Sequence, residues 1–406
     1  MFQRIKNIFH AGEAIAGNII YGFPGKKLKI IGVTGTDGKT TTTSLIYHIL
    51  RTAGKKVSMM STVSARLAGT DYDTGFHVTT PGRHMVPKYL GMSVKNGDEY
   101  FVLEMTSHAI DQNRSYGIQF EVGLITNVTH EHLDYHKTYD NYVQTKTKLL
   151  LRSKIALANH DDGSYPYIKD IMDKKGKPLL SYGITQLSDF MTDITAHFPP
   201  DIPQFNKYNY LAAYSVCKSL GIEENVIFEA MKTYELPQGR IDKVFDGDFK
   251  VIVDFAHTPN ALDQILGATK KQMSPGKRLI HVFGAAGLRD RSKRPLMGES
   301  SGKWADNVII TEEDYRIEDP VEIAEAIAEG LKKHQFELSD DLSFPKKYSI
   351  IIDRQKAIAK AIEITQTGDI VLITGKGHEK SLCRGKKEYP WDDREAIVRE
   401  LDKKVA

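Results

Sequence analysis

At Gly32-Val33-Thr34-Gly35-Thr36-Asp37-Gly38-Lys39-Thr40-Thr41 the chain carries a combination of residue types suited to holding phosphate. Glycines let a backbone close on an anion without a Cβ in the way, and the first N–H groups of a following helix point at negative charge. Lys39 can bridge β- and γ-oxygens, and the Thr40 hydroxyl can ligate Mg²⁺. The strict phosphate-loop pattern wants a glycine where Val33 stands. An ordinary glycine-rich turn is the competing interpretation. The apolar run before the loop and the helical pattern over 40–52 after it favour a nucleoside triphosphate site, built from Gly35, Thr36, Asp37, Gly38, Lys39, Thr40 and Thr41.

Other residues extend that chemistry. Glu104 closes a second apolar run, and a carboxylate there can hold Mg²⁺ against nucleotide phosphates; a helix-capping or ion-paired glutamate is the alternative. His130, His132, Asp134 and His136 crowd a later loop and suggest a cation site. Zinc is a rival there, but no helical pair of ligands with a third partner stands out. His132 is the chosen ligand, with His130 and His136 assigned to solvent or structure. Lys146 and Lys148, taken alone, read as a solvated helix face, and Asn206 and Asn209 as helix caps.

The elements that must position these residues alternate between two periodicities. Strand-like runs cover 27–34, 100–105, 122–127, 154–158, 250–255, 278–283, 307–311, 348–352 and 369–374. Helical patterns cover 139–151, 208–220, 259–271, 320–333 and 354–365. Alternation of this kind predicts an α/β fold with parallel, doubly wound sheets. Ligands of such sheets sit beyond the carboxyl ends of the strands, and polar residues gather at nearly every predicted strand exit. A break at Leu236-Pro237-Gln238-Gly239-Arg240 predicts segments 1–27, 28–237 and 238–406.

Composition excludes several classes. The 406 residues suffice for two or three domains, and a net charge of +3 with interspersed acids argues against nucleic acid. Two distant cysteines, Cys217 and Cys383, make neither a disulfide framework nor a four-cysteine zinc site and suit a reducing cytoplasm. No run approaches the ~20 apolar residues of a membrane span. Phe2, Ile5, Phe9, Ala16, Ile19, Ile20 and Phe23 recur at roughly helical spacing near the start. That segment is expected to pack on its own domain, a peripheral membrane contact being the alternative.

Together the motifs resemble the Mur ligase family, most closely its MurE-type branch, the UDP-N-acetylmuramyl-tripeptide synthetases. The resemblance rests on Gly35 through Thr41, Thr79-Thr80-Pro81-Gly82, Glu104 through His108, Thr126-Asn127 and His132 through His136. It continues through Phe205-Asn206 with Asn209, Gly239-Arg240, Asp254 through Pro259, Lys293 through Gly298 and Gly375 through Glu379. These matches run in family order from residue 28 to about 394.

The resemblance implies a phosphate-loop-containing, doubly wound central domain followed by a smaller Rossmann-like α/β C-terminal domain. It implies an ATP-dependent peptide-bond-forming ligase: a carboxylate is phosphorylated to an acyl phosphate, which an amino acid's amine then attacks. Lys39 and Thr40 would hold phosphates and a first Mg²⁺, with Glu104 as further ligand. His132 would bind a second Mg²⁺, and Lys146 falls at the spacing of the family's carbamylated lysine. Asn206, Arg240, Asp254 and His257 would surround adenine and ribose. Thr79, Thr80, Ser107 and Arg114 would contact a nucleotide-sugar peptide, and Arg289, Arg316, Gly375 and Glu379 the incoming amino acid. A cytoplasmic monomer working on small molecules is the expectation.

Departures from the family pattern are specific. Glu313-Asp314-Tyr315-Arg316 stands where diaminopimelate-adding relatives carry Asp-Asn-Pro-Arg, and Leu288 where an acid is usual, so diaminopimelate is only weakly favoured over lysine. Branch members carry a separate uridine-binding domain in front, whereas only residues 1–27 precede the first strand here. Either a reduced element does that work or the acceptor is lipid-linked. A sibling activity of folylpolyglutamate type and a non-catalytic nucleotide-binding descendant are the remaining alternatives, the latter disfavoured by intact Lys39, Glu104, His132 and Lys146.

Overall fold

Aliphatic and β-branched runs form strands here because helices bury both of their faces. The computed structural model describes residues 15–67, 69–72, 85–129, 133–197, 202–203 and 205–405. The chain divides into two compact units, Met1–Glu235 and Leu236–Ala406.

In the first unit the strands are β1 (Lys29–Thr34), β2 (Val57–Met60), β3 (Ala65–Leu67), β4 (Thr70–Tyr72), β5 (Tyr100–Glu104), β6 (Phe120–Ile125), β7 (Ser153–Asn159) and β8 (Leu180–Tyr182). Among the described residues they form one sheet in the order β4-β3-β2-β5-β1-β6-β7-β8. β2 through β8 in that order pair in parallel, and β3 and β4 add an antiparallel edge. The central strand β5 is buried throughout, and β1 from Ile30 on. Leu45, Ile46, Ile49 and Leu50 of the helix Lys39–Thr52 have no exposure, and each such side chain contributes about 1.5–3 kcal/mol.

The second unit contains β9 (Asp242–Asp246), β10 (Lys250–Asp254), β11 (Leu279–Phe283), β12 (Asn307–Ile310), β13 (Glu337–Leu338), β14 (Lys347–Ile350) and β15 (Ile370–Thr374). Their order is β13-β14-β12-β11-β15-β10-β9, parallel except for the antiparallel edge strand β9. A separate hairpin joins β16 (Ser381–Arg384) to β17 (Lys387–Pro390). The helices Pro259–Gln272, Pro320–Lys332 and Arg354–Glu363 are each capped by the side chain before them, Thr258, Asp319 and Asp353.

The α/β architecture is as the alternation predicts, and every strand-like run of the sequence is a strand. The short inner strands β2 and β3, the edge strands β4, β8, β9 and β13 and the hairpin escape the sequence pattern because they are short or polar on exposed faces. Of the N-terminal segment, residues 1–14 lie outside the described residues. In the helix over 15–20 Ile19 and Ile20 are 63% and 74% exposed. Asn18 is the buried residue, its side-chain amide donating to the Tyr116 carbonyl (2.9 Å). No described helix is long and apolar enough to cross a membrane.

His281 lies unexposed in the middle of β11, its ring nitrogens on Ser301 Oγ (2.8 Å) and Thr374 Oγ1 (3.0 Å). Burial, and then the charge of Arg354, lower its pKa from 6.5 to about 3. A base depressed on folding contributes stability that is complete above pH 6.5 and lost as pH falls toward 3. The thermal midpoint should therefore drop between pH 6.5 and pH 4.5, and His281→Gln should drop less steeply. At neutral pH that variant should lose about 1–3 kcal/mol through its unpaired neighbours. Melting curves across pH measure both, and a variant with the wild-type slope would exclude titration of His281.

Candidate active site

The phosphate loop is defined by what it leans on. Val33, at the position of the missing glycine, is buried inside β1 and pairs in register with Glu104, so the turn opens two residues later, at Gly35. Gly35 has φ 155°, and a Cβ there would come within 1.8 Å of Thr126 Oγ1. Gly38 has φ 79°, and its Cβ would meet Asn209 Oδ1 at 2.1 Å. Only glycine fits both positions.

The loop after β6 holds this turn. Thr36 N donates to the Asn127 carbonyl (2.9 Å) and Asp37 N to Asn127 Oδ1 (2.9 Å). In return Thr126 Oγ1 and Asn127 Nδ2 donate to the Asp37 carbonyl (2.7 and 3.1 Å). Thr36 Oγ1 accepts from Thr129 N (3.0 Å) and lies 3.2 Å from the Tyr142 hydroxyl. Lys39 Nζ reaches back across the loop to the Thr36 carbonyl (2.7 Å), so its charge spans the concave side of the turn. Thr41 is buried in the first turn of the helix that follows.

Beside the loop, Glu104 is completely buried. It accepts from Thr40 Oγ1 (3.2 and 3.1 Å), Thr62 N (2.9 Å) and Thr62 Oγ1 (2.8 Å). A hydroxyl and a carboxylate at the foot of a phosphate cradle form the oxygen donor set that Mg²⁺ requires, and these residues fit it. Thr62 was not signalled by the sequence, since a lone threonine after a short strand carries no motif.

Lys146 is 1% exposed, which corrects its reading as a solvated face. Its Nζ donates to the Gly35 carbonyl (2.5 Å) and sits 4.5 Å from the Tyr142 ring centre. Lys148 is exposed, 3.5 Å from Asp111. Ser107 is buried against His136, Oγ to Nε2 at 2.9 Å, and burial, with His108 and Lys146 nearby, lowers His136 to about 4. Arg114 donates to Gln112 Oε1 (3.1 and 2.9 Å). Asn206 and Asn209 are not caps: Asn209 Nδ2 donates to Asn206 Oδ1 (2.8 Å), and the pair presses the helix Asn206–Ser219 against Gly38. Thr79, Thr80, His130 and His132 lie outside the described residues.

In the second unit, Arg240, Asp254 and His257 come together. Asp254 accepts from Ile241 N (2.9 Å) and Ala256 N (2.8 Å). Arg240 lies 4.7 Å over the Phe255 ring, and His257 and His378 flank the same ring at 4.7 and 4.8 Å. Burial lowers both histidines to about 3. The result is a cluster of neutral aromatic rings with the Arg240 guanidinium over Phe255 and the Asp254 carboxylate beside it, groups suited to a flat base and polar hydroxyls.

The exits of β11, β12 and β15 make a second cluster in the same unit. Arg316, at φ 54°, donates to the Gly287 carbonyl (2.6 Å) and lies 3.8 Å from Asp314 Oδ2. Lys376 is fully buried between Asp314 Oδ1 (2.9 Å) and Glu379 Oε2 (2.5 Å). Gly375 has φ 103° beside Glu313, and Arg289 is exposed on the β11 loop. Glu313, which the sequence marked only as a departure from the family pattern, has a buried Oε2 without a hydrogen-bond partner among the described residues, and burial, with Asp314 beside it, pushes its pKa up to about 7. A buried acceptor left open in this way is a place for a ligand's donor.

Residues 33–206 match the Mur ligase middle domain, and residues 239–377 match the family described as Mur ligase, glutamate ligase domain. A UDP-N-acetylmuramoyl-L-alanyl-D-glutamate–2,6-diaminopimelate ligase of Syntrophomonas wolfei is 37% identical over 95% of this chain and 80% of its own. The solved structure of another ligase of that name is 28% identical at a TM-score of 0.58, over 93% of this chain and 79% of its own. A folylpolyglutamate synthase of Mycobacterium tuberculosis, solved with ADP and AMPPCP, shares the fold at a TM-score of 0.70 and 13% identity, over 90% of this chain and 92% of its own. With both domain matches in order and that identity across nearly its whole length, this chain belongs to the Mur ligase family.

Proposed function

We propose that the protein is an ATP-dependent acid–amino-acid ligase of peptidoglycan precursor synthesis, adding diaminopimelate or lysine to UDP-MurNAc-L-Ala-D-Glu. The observation that carries this reading is the convergence of Thr40, Thr62 and Glu104 beside the Gly35–Thr41 loop, which supports triphosphate and Mg²⁺ binding. The relatives' names supply the acceptor and the reaction.

In this reading the acceptor's carboxylate oxygen attacks the γ-phosphorus and ADP leaves. The amine nitrogen then attacks the acyl carbon, the C–O bond to phosphate breaks, and the proton lost by nitrogen passes to solvent. Lys39 and the loop N–H groups offset the charge of the transferred phosphoryl group. Residues 28–237 act as the ATP-binding domain and 238–406 as the domain for the amino acid. Asn206, Arg240, Asp254 and His257 serve adenine and ribose, and Thr79, Thr80, Ser107 and Arg114 the acceptor. Arg289, Arg316, Gly375 and Glu379 receive the amino acid. The guanidinium of Arg316 favours a side chain ending in a carboxylate as well as an amine, hence diaminopimelate. His132 binds a second Mg²⁺, and Lys146 is carbamylated. The enzyme works as a cytoplasmic monomer.

Purified protein with ATP, Mg²⁺ and UDP-MurNAc-L-Ala-D-Glu should release phosphate only when diaminopimelate or lysine is added. Lys39→Ala should reduce that rate by about 100-fold or more, and Lys148→Ala should leave it within two-fold, about 0.4 kcal/mol. Release with a lipid-linked acceptor alone would move the assignment to a sibling ligase.

If Lys146 bears a carbamate, Lys146→Ala should lose most turnover and recover part of it with added short carboxylates. Unchanged turnover would remove Lys146 from the site.

Glu313 binds a substrate ammonium as its carboxylate, the form that dominates above pH 7. KM for the amino acid should therefore fall as pH rises through 7, and Glu313→Gln should flatten that dependence and raise KM at pH 8 by about ten-fold, 1.4 kcal/mol. KM profiles at saturating ATP measure this, and a parallel wild-type and variant profile would assign the ammonium elsewhere.

A further inference from the structure

The β16–β17 hairpin stands apart from the seven-stranded sheet, yet it is tied to the loop that follows β12. Arg384 grips Glu312 with two parallel bonds, Nε to Oε2 at 2.8 Å and Nη2 to Oε1 at 2.5 Å. One residue back, Cys383 N donates to Asp314 Oδ1 (3.0 Å), and the Cys383 carbonyl accepts from Arg316 N (3.1 Å). Gly385 N then donates to the Arg316 carbonyl (2.7 Å). Glu312, Asp314 and Arg316 are thus each held by the turn end of the hairpin, two of them through backbone groups.

This bracing answers a specific need. Arg316 sits in the left-handed region, where a side chain other than glycine costs about 1–3 kcal/mol and persists only when its surroundings dictate it. Glu312 is 4% exposed, and without Arg384 its carboxylate would keep only the long bond from Arg354 N (3.3 Å), which favours movement toward water. Movement of Glu312 would carry Glu313 and Asp314 with it, and with them the Lys376–Glu379 pair.

Resting on the ligase reading above, we infer that the hairpin is a positioning element for the amino-acid half-site. Arg384 acts through Glu312 to set the separation between the Arg316 guanidinium and the carboxylates of Glu313 and Glu379. That separation determines which diamino acid fits. Arg384 touches neither phosphate nor acyl carbon in this role, so it governs capture of the amino acid and leaves the phosphoryl step alone.

The test is a kinetic split on the full-length enzyme. In R384A, KM for the preferred diamino acid should rise ten-fold or more, while kcat and KM for ATP stay within two-fold of wild type. The preference between diaminopimelate and lysine should narrow, and R384K, which keeps one charged donor, should recover part of both effects. If R384A is too unstable to assay, a several-fold KM split in R384K carries the same conclusion. Wild-type kinetics in R384A, or equal losses in kcat and in both KM values, would overturn the inference. A wild-type enzyme inactive with every amino acid would instead overturn the ligase reading itself.

Discussion

Parallel strands that leave a sheet along one edge crowd their last carbonyls, and the polar residues after them, into the same small volume. Every one of those groups must find a partner there, because a buried polar atom left alone costs free energy comparable to a lost hydrogen bond. In the first unit the exits of β1, β5 and β6 meet most of this demand together, Thr34 Oγ1 and Thr129 Oγ1 being left over. Glu104 from β5 takes the Thr40 hydroxyl, and Thr126 and Asn127 from β6 take the backbone of Asp37. The phosphate loop owes its shape to these neighbours as much as to its own glycines.

The second unit meets the same demand with charge. Arg354 and Asp393, both without exposure, form a pair at 2.7 Å, and Arg354 also donates to the carbonyls of Glu312 (3.3 Å) and Thr374 (2.9 Å). Those carbonyls lie where the loops after β12 and β15 begin. Desolvating two ions offsets much of their attraction, so such a pair is poor evidence for net stability. Its value lies in geometry: a planar guanidinium with fixed donors dictates where two strand ends sit relative to the C-terminal helix Asp393–Val405.

Glu313 is a buried group at these strand exits that is left open, as Asp290 Oδ2 and His378 Nδ1 are. Around it Lys376, Asp314, Glu379 and Arg316 satisfy one another or the backbone, whereas its own Oε2 does not. A carboxyl whose ordinary value is 4.5 and which is pushed to about 7 is poised to ionise when a cation arrives.

The alternation of short apolar runs with helical patterns determined the α/β class, the principal strands and the phosphate loop, because periodicity and glycine spacing are local properties of a chain. Family-ordered motifs extended that to the site as a list of residues. Only the tertiary structure decided what those residues do to one another. Lys146 looks like an ordinary helix-surface lysine until the helix Tyr139–Leu151 lies against β1 and buries its amine on Gly35. Asn209 looks like a cap until Gly38 comes within reach of it. Thr62 and Arg384 carry no motif, since their partners are 42 and 72 positions away in Glu104 and Glu312. Contacts over such separations arise from the order in which parallel strands are laid side by side, and no local pattern of residues encodes that order.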